Sequence, residues 1–493
     1  MESRNARVIM KGSKRAFLGK PAVAVLFLSG LLLTGCVRGE VVDSNNYPIK
    51  DLEVTLNNMI TGKIRTRVTD HKGQFQFFPV LNGDKYRLTA SRYGYYDLDK
   101  TFLKTHDTQV IKDAILANRS RVAFHEFNPP ALLDMAQVNP AISSRAFSVY
   151  MPPSYAIYSD RRYPVIYLLH GNTQNNTSYF LPYEYGLGLN VQSLMDELIA
   201  EGAAQEAIIV VPNGDLPYGW IEGDWRGSFY VNSVRNGDFE TYTAVDMIDC
   251  IENNTDHCLW ADSDQGYRVI ASGASRAIHG VCMGTLGAMN IALRYPGRFA
   301  AVAGSFGLPS LNELVFAYED DVTPLLVLYY LDQQVQGYID DRYEMFSSAF
   351  DAEHFPDCQV PIYLDEEGDV IMTMVDNPFE PQGPPVELWS NFYLRYDPYT
   401  YLVEHPEVIE GLSFYLDCGD HDQMQLYDNN RAFSALLEDL GLEASQSLDA
   451  ENRHFFEIYR NIFHVDHKSD ERVKMALTFL ANHLQGDENY VGP

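Results

Sequence analysis

Residues 277–293 have the sequence AIHGVCMGTLGAMNIAL, and this stretch decides the fold that we expect for most of the chain. An apolar run comes first, then Gly280-Val281-Cys282-Met283-Gly284, and then small and apolar residues with helical spacing. Glycines on both sides of a central residue let a strand turn sharply into a helix and hold that residue in a strained, exposed position. The stretch therefore predicts a strand–turn–helix unit with Cys282 at its apex, as a candidate nucleophile.

The chain from about residue 120 alternates between predicted strands and helices. YPVIYLLHGN (163–172) and EAIIVVPNGD (206–215) are apolar runs that end in glycine and polar residues, which is typical of parallel strands buried on both faces. VQSLMDELIAEG (191–202) has helical spacing, and ERVKMALTFLANHL (471–484) predicts a closing helix. The alternation predicts a doubly wound α/β sheet within residues 119–493, with ligands at the carboxyl ends of its strands.

Residues 310–395 interrupt this alternation. Their first part (311–355) has a helix-like pattern, and the proline-rich DNPFEPQGPP (376–385) ends it. An insertion between two strands of an open sheet lies over the strand ends, so we expect a lid here. A decoration at the sheet edge, remote from the site, is the alternative.

Residues 1–36 have the pattern of an export signal. Six basic residues precede the apolar run PAVAVLFLSGLLL (21–33), which is too short to span a bilayer. The run ends in LTGC, which resembles the bacterial lipobox, and this implies cleavage before Cys36 and a lipid on its thiol. Val37 gives no aspartate signal for inner-membrane retention, so we expect an outer-membrane lipoprotein that faces the periplasm or the exterior. An ordinary signal peptide with a chance cysteine is the alternative.

Residues 37–118 predict short alternating strands separated by turn residues such as Asp70, Gly73 and Gly83. The pattern V-T-D-x-x-G-x-F-x-F-x-x-V-x-x-G-x-x-Y-x-L between Val68 and Leu88 resembles the carboxypeptidase regulatory-like domain. The resemblance implies a small transthyretin-like β-sandwich. We expect it to be a spacer or docking module without catalytic residues.

Charge and cysteine spacing exclude some functions. The 37 Lys and Arg against 67 Asp and Glu give a formal net charge of −30, which repels phosphate backbones, so nucleic acid is not an expected partner. Cys250 and Cys258 flank a polar stretch and could close a disulfide in an oxidising compartment. The chain has no Cys-x-x-Cys pair, and we expect neither a metal nor another cofactor.

Four stretches resemble the putative esterase family of α/β-hydrolases. They are FSVYMPPSY with RRYPVIYLLHGN, FYVNSVRNGDFETYTAVDMIDCIE, RAIHGVCMGTLGAMNIALRYPGRFAAVAGSFG, and the segment 397–441. The resemblance runs from about 145 to 485 apart from the expected lid, and it implies an α/β-hydrolase fold and an ester substrate. Cys282 replaces the family's serine, and Thr285 replaces its second glycine.

The resemblance also implies a triad in the order nucleophile, acid, histidine. For the acid, Asp422 lies three residues after Gly419 in the loop CGDHD, and Asp420 is the rival that we expect to cap the loop. For the base, His464 directly follows the last predicted strand, and His467 remains an alternative.

Two backbone N–H groups are expected to stabilise the oxyanion, one from Met283 after the nucleophile and one from Asn172 in the HGN loop. The resemblance places four further residues at the border of the substrate: Trp220, Trp225, Tyr230 and Asn232. Packing inside the domain is an equally good interpretation of the aromatic ones. We expect His170 and His279 to have packing or hydrogen-bonding roles.

The cysteine allows two functions. An ordinary thiol has a pKa of about 8.5, which a helix N-terminus and a histidine can lower, so one reading is a Cys-His-Asp hydrolase or acyltransferase that acts on a small-molecule or carbohydrate ester. Sulfur is larger than oxygen, and a misplaced sulfur would abolish turnover. The alternative is therefore a catalytically lapsed protein that binds a carbohydrate or another ligand at the cell envelope.

Overall fold

The computed structural model describes the greater part of the chain. The described residues are 34–133, 144–171, 174–180, 189–215, 228–233, 237–253, 266–310, 362–364, 370–372, 396–422, 426–462 and 469–490. They form two compact units. The first contains residues up to Val42, Pro48–Ser91 and Asp97–Leu116, and the second contains Asp43–Tyr47, Arg92–Tyr96 and the chain from Ala117 onward.

The first unit is a β-sandwich, as the turn-rich alternating pattern predicts. Its strands are β1 (Thr34–Val42), β2 (Glu53–Asn58), β3 (Ile64–Val68), β4 (Gln74–Leu81), β5 (Lys85–Ala90), β6 (Leu98–Leu103) and β7 (Thr108–Ile115). One sheet has the order β4-β1-β7 and the other β3-β2-β5-β6. Alternate residues such as Val54, Leu56 and Leu88 are buried between the sheets while their neighbours along the strand are half-buried or exposed, which is the period-two pattern of strands with one solvent-facing side.

The second unit is built on one sheet of eight strands. They are β8 (Arg121–Phe127), β9 (Arg145–Met151), β10 (Val165–Leu169), β11 (Ile208–Pro212), β14 (Arg276–Val281), β15 (Ala301–Ser305), β18 (Ser413–Gly419) and β19 (His454–Tyr459), in the order β19-β18-β15-β14-β10-β11-β9-β8. The six strands from β19 to β11 are parallel, and β9 runs antiparallel to both of its neighbours. The short pairs β12 (Asn232–Ser233) with β13 (Gly237–Asp238), and β16 (Ile362–Leu364) with β17 (Val370–Met372), lie outside this sheet.

Helices cover both faces of the sheet. They are α1 (Val191–Glu201), α2 (Phe239–Thr241), α3 (Met247–Asn253), α4 (Met283–Arg294), α5 (Pro398–Glu404), α6 (Leu426–Asp439) and α7 (Ser469–Asn482). One hydrophobic core contains Ile278 of β14 with Leu286 of α4, and the other contains Ala277 of the same strand with Phe479 of α7. Because adjacent strand residues face opposite cores, the central strands are apolar throughout. The predicted doubly wound α/β fold is confirmed.

The parallel strands bring several turns to one edge of the sheet. The residues that directly follow β10, β14, β15 and β18 are His170, Cys282, Phe306 and Asp420. In a parallel sheet these carboxyl ends form the ligand-binding edge. The expected lid at 310–395 lies almost entirely outside the described residues, so it remains a prediction.

The signal segment is likewise untested, because residues 1–33 are not described. Within the described part of the chain, no helix has the length and hydropathy needed to cross a membrane.

Candidate active site

Cys282 forms the apex of the turn between β14 and α4. Its φ of 54° and ψ of −117° lie in a region that non-glycine residues rarely adopt, at a strain of about 1–3 kcal/mol that the surroundings must sustain. The Cys282 N–H donates to the Ser305 carbonyl at 3.1 Å, and the Cys282 carbonyl accepts the Thr285 N–H at 3.0 Å. The half-buried thiol therefore stands at the start of a helix and at the carboxyl edge of the sheet.

The flanking glycines are required by close backbone contacts. A Cβ atom at Gly280 would lie 2.0 Å from the Gly284 carbonyl oxygen, and one at Gly284 would lie 2.3 Å from the Leu169 carbonyl oxygen. Any side chain at either position would push strand and helix apart. The Gly-x-Cys-x-Gly spacing is thus explained by the geometry of the turn.

Thr285 occupies a space that two other glycines leave open. Its hydroxyl donates to the Gly280 carbonyl at 3.0 Å. A Cβ at Gly307 would lie 1.8 Å from Thr285 Oγ1, and one at Gly304 would lie 2.5 Å from Thr285 Cγ2. The departure from the family's second glycine is therefore accommodated by glycines in and after β15.

The loop after β10 lies directly beside the nucleophile. A Cβ at Gly171 would be 3.1 Å from Cys282 Cβ. Met283 is the first residue of α4, and N–H groups in a first turn have no acceptor within their own helix. Asn172 lies outside the described residues, and the oxyanion role of both residues stays a prediction.

His170 holds this loop in shape. Its Nε2 accepts the Gly214 N–H at 2.9 Å, so Nδ1 must carry the proton and donates to the Gly171 carbonyl at 2.9 Å. Burial lowers the pKa of His170 to about 4, which keeps the ring neutral near pH 7. The expected hydrogen-bonding role agrees with this geometry.

His279 is also internal. It lies on β14, three residues before Cys282, and its Nε2 is 3.1 Å from Ser305 Oγ. Burial lowers the pKa of His279 to about 3, so this ring is neutral as well. Neither histidine is a candidate base.

The two candidate acids have different surroundings. Asp420 Oδ1 accepts the Asn461 N–H at 2.6 Å and lies 2.7 Å from His421 Nδ1, and the hydrogen bond from His421 is the main reason that the Asp420 pKa is lowered. Asp420 thus joins the loop after β18 to the loop after β19. Asp422 is 5% exposed, and a buried carboxylate is better suited to orient a base. These contacts support Asp422, whose role stays a prediction.

Both candidate bases, His464 and His467, lie outside the described residues. The chain leads into that segment at Ile462, whose carbonyl accepts the His421 N–H at 3.1 Å. A Cβ at Gly419 would lie 2.1 Å from the same carbonyl oxygen. The segment that carries the histidines therefore begins beside the acid loop, and the choice between them stays open.

Of the four predicted substrate residues, Trp220 and Trp225 lie outside the described chain. Tyr230 is fully buried. Its hydroxyl accepts the His170 N–H at 3.0 Å, and a Cβ at Gly287 of α4 would lie 2.6 Å from its Cβ. Asn232 accepts the Thr241 N–H and donates to its hydroxyl, both at 3.0 Å. Tyr230 is therefore internal, whereas Asn232 is half-buried, and the contact of either residue with a substrate stays a prediction.

The described cysteines have different states. Cys250 forms a disulfide, and its predicted partner Cys258 lies outside the described residues. Cys36, Cys282 and Cys418 are thiols, and those of Cys36 and Cys418 are buried. Burial raises the pKa of Cys418. No disulfide therefore joins Cys418 to Cys282.

Asp417 and Arg472 are the residues at this edge that sequence reasoning missed. They form an ion pair in which both side chains are fully buried. The sequence does carry a signal for Asp417, which is the single charged residue of β18 and follows its apolar run SFYL. A carboxylate in a buried strand needs a partner. Among the described residues, no group of three His, Cys, Asp or Glu side chains could hold a metal ion.

Comparison with known proteins finds two matching families. The model of the putative esterase family matches residues 142–466, and that of the carboxypeptidase regulatory-like domain matches residues 36–115.

Curated relatives match part of the larger unit. Esterase Rv1288 of Mycobacterium tuberculosis is 26% identical over 195 residues, which cover 40% of this chain and 34% of that protein. The endo-1,4-beta-xylanase/feruloyl esterase of Xylanibacter ruminicola is 30% identical over 169 residues, which cover 33% of this chain and 19% of that protein. The chain thus spans about a third or less of the length of these relatives.

Solved structures resemble the chain more broadly at lower identity. A ferulic acid esterase is 21% identical with a TM-score of 0.45, covering 74% of this chain and 99% of that one. An S-formylglutathione hydrolase from Agrobacterium tumefaciens is 17% identical with a TM-score of 0.43, covering 74% and 96%.

Proposed function

Because the chain belongs to the putative esterase family, we propose that its larger unit hydrolyses carboxylic esters, or transfers their acyl groups, with Cys282 as the nucleophile. The observation that carries the proposal is the conformation of Cys282, with a positive φ of 54° at the junction of β14 and α4. Such strain persists only where the surrounding structure enforces it, and it concentrates at functional sites. Here it presents a thiol beside Gly171, at the edge where oxyanion and acid loops meet.

The first half of the reaction forms a thioester. The Cys282 thiolate attacks the ester carbonyl carbon, and the carbonyl π electrons move to oxygen. The Met283 N–H, with that of Asn172, donates to this oxyanion. When the C–O bond breaks, the alcohol oxygen takes the proton that His464, or its alternative His467, has received from the thiol.

The second half regenerates the thiol. Water, or an alcohol acceptor in the transferase case, gives a proton to the histidine and attacks the thioester carbon. The C–S bond then breaks, and the proton returns to sulfur. The role of Asp422 is to hold the histidine in the tautomer that accepts the proton.

We place the protein at the bacterial cell envelope, with a lipid on Cys36 and a carbohydrate ester as substrate. The basic and apolar segments before LTGC support export. One relative combines a xylanase and a feruloyl esterase in its name, which supports a carbohydrate ester. Cys36 is buried within β1, so a lipid on its thiol requires the first residues of this strand to be displaced from their pairing.

The test combines turnover with trapping of the acyl intermediate. Wild-type protein incubated with p-nitrophenyl acetate should release p-nitrophenol and gain the mass of one acetyl group on the peptide that contains Cys282. Cys282→Ala should lose both signals. Cys282→Ser should retain some turnover, because the surrounding turn is that of a serine enzyme.

The lapsed binding protein is the second candidate, favoured by the one observation that cysteine replaces serine at the apex. Equal release of p-nitrophenol by wild type and Cys282→Ala, with no acetylated peptide, would favour it and contradict the enzyme.

A further inference from the structure

The buried ion pair between Asp417 and Arg472 is poorly explained by stability. Arg472 Nε donates to Asp417 Oδ1 at 2.7 Å, and Arg472 Nη2 donates to the same oxygen. Among the described residues, Asp417 Oδ2 and Arg472 Nη1 have no hydrogen-bond partner. A buried ion pair with unsatisfied atoms is commonly no more stable than an apolar pair of the same volume. The question is therefore what else the pair does.

The pair connects the nucleophile's neighbours to the acid strand. Asp417 Oδ1 also accepts the Phe306 N–H at 3.4 Å. Phe306 directly follows Ser305, whose carbonyl accepts the Cys282 N–H. Asp417 itself lies on β18, which leads through Gly419 into the loop of Asp422. The Asp417 carboxylate thus contacts the backbone of Phe306, next to Ser305, and lies on the strand that leads to Asp422.

Arg472 connects the same pair to the closing helix. It lies in the first turn of α7, and its guanidinium is 4.1 Å from the centroid of the Phe306 ring and 5.2 Å from that of Tyr459, the last residue of β19. The Tyr415 hydroxyl of β18 donates to the Arg472 carbonyl at 3.4 Å. In the sequence, both candidate histidines lie between Tyr459 and Arg472. Arg472, which follows that segment in the chain, therefore contacts Tyr459, which precedes it.

We infer that Arg472 and Asp417 are positioning residues, which hold the strand ends at the catalytic edge in register so that the Cys282 thiol meets its acid–base partners. The catalytic role in this inference rests on the proposed function, whereas the contacts of Asp417 and Arg472 do not depend on it. A displacement of about 1 Å at a reacting group is enough to lower a rate by about a hundredfold.

The test compares this pair with a second ion pair at the other end of the sheet. Arg276 is the first residue of β14, opposite its catalytic end, and its Nη2 donates to Glu252 Oε2 at 2.7 Å. The two side chains are 12% and 5% exposed. Arg276→Met therefore reports the effect of losing a largely buried arginine on the same sheet, away from the catalytic edge.

The main variant is Asp417→Leu with Arg472→Met, which removes both charges together and leaves no unpaired buried ion, so folding is expected. The readouts are the pH dependence of Cys282 alkylation by iodoacetamide, mapped by peptide mass, the kcat and KM for p-nitrophenyl acetate, and the unfolding temperature. We expect the alkylation midpoint to rise by about half a pH unit or more, and kcat to fall by about tenfold or more with little change in KM. Arg472→Lys, which keeps the charge, should give an alkylation midpoint and a kcat between those of the double variant and wild type. Arg276→Met should change the unfolding temperature alone.

An unchanged alkylation profile and kcat in the double variant, or equal changes in it and in Arg276→Met, would overturn the inference. If wild type hydrolyses no ester while the double variant still shifts the Cys282 profile, the proposed function fails and the positioning role stands.

Discussion

Thr285 shows how one residue of the turn depends on its neighbours. Its hydroxyl bonds to Gly280, and its methyl group lies where a side chain at Gly304 would otherwise fit. A glycine at position 285, which the family resemblance implies, would leave this volume unfilled. Thr285 and the small residues of β15 therefore form one packing unit under the nucleophile, and changes at these positions should not be additive.

The Gly304→Ala change tests this coupling. In wild type the new methyl group meets Thr285 Cγ2 at 2.5 Å, and we expect a loss of about 1–3 kcal/mol in the free energy of unfolding. In the Thr285→Ser background Cγ2 is absent and the hydroxyl remains, so the same change should be markedly less destabilising. Urea unfolding of the four proteins measures the coupling. A loss that is the same in both backgrounds would contradict the assigned packing.

At the scale of elements, the loops after β18 and β19 support each other. Asp420 binds the backbone of Asn461, and the His421 N–H binds the carbonyl of Ile462. Gly419 is required because the Ile462 carbonyl leaves no room for a Cβ. The loop after β18 and the start of the histidine segment are therefore one structural unit, in which Asp420 joins the two loops and Asp422 stays the predicted acid.

Asn substitutions at the two aspartates separate these roles. Asp420→Asn should lower the unfolding temperature, because the hydrogen bonds from His421 and the Asn461 N–H favour the ionised carboxylate in the folded state and lower the Asp420 pKa. It should leave ester turnover largely intact. The stability contributed by Asp420 is present above the unfolded-state pKa and is lost as pH falls through the folded-state value. Asp422→Asn should abolish turnover instead. Loss of turnover in Asp420→Asn, with a lowered unfolding temperature in Asp422→Asn, would instead identify Asp420 as the acid.

At the scale of the molecule, the second unit begins before the boundary that the strand pattern predicts. Asp43–Tyr47 and Arg92–Tyr96 cluster with it rather than with the sandwich. Asp196 of α1 is fully buried and accepts hydrogen bonds from Asn118 at 2.7 Å, Ser120 at 2.6 Å and Tyr150 at 2.7 Å. A chain cut at residue 119 would lose Asn118 from this group and should be less stable than the full second unit.

The buried carboxyl of Asp196 should make stability depend on pH. Burial raises its pKa to about 7, well above the value of about 3.9 for an unfolded aspartate. The folded protein thus binds a proton that the unfolded chain releases. Its stabilising contribution is complete below about pH 4 and is lost as pH rises through about 7. In Asp196→Asn, the free energy of unfolding should not decrease in this way as the pH rises. Parallel pH dependences of wild type and variant between pH 4 and 8 would contradict the prediction.

The sequence alone determined the two architectures and the position of Cys282 at the apex of the turn between β14 and α4. Apolar runs with period-two and helical spacing are local properties, so β10, β11, β14 and the elbow helix α4 could be predicted from neighbours along the chain. Gly280 has the same local origin, because a Cβ there would meet the Gly284 carbonyl within five residues, whereas Gly284 is required by the Leu169 carbonyl on β10.

Only the tertiary structure decided which side chains meet across the sheet. Tyr230 is an aromatic residue of the kind that borders substrates, but it packs against Gly287 of α4. Asp420 differs from Asp422 because it binds Asn461 in the loop after β19. Asp417 and Arg472 are 55 residues apart. Burial and pairing of this kind depend on strand order, which brings distant residues within hydrogen-bonding reach and is not a property of any single stretch of sequence.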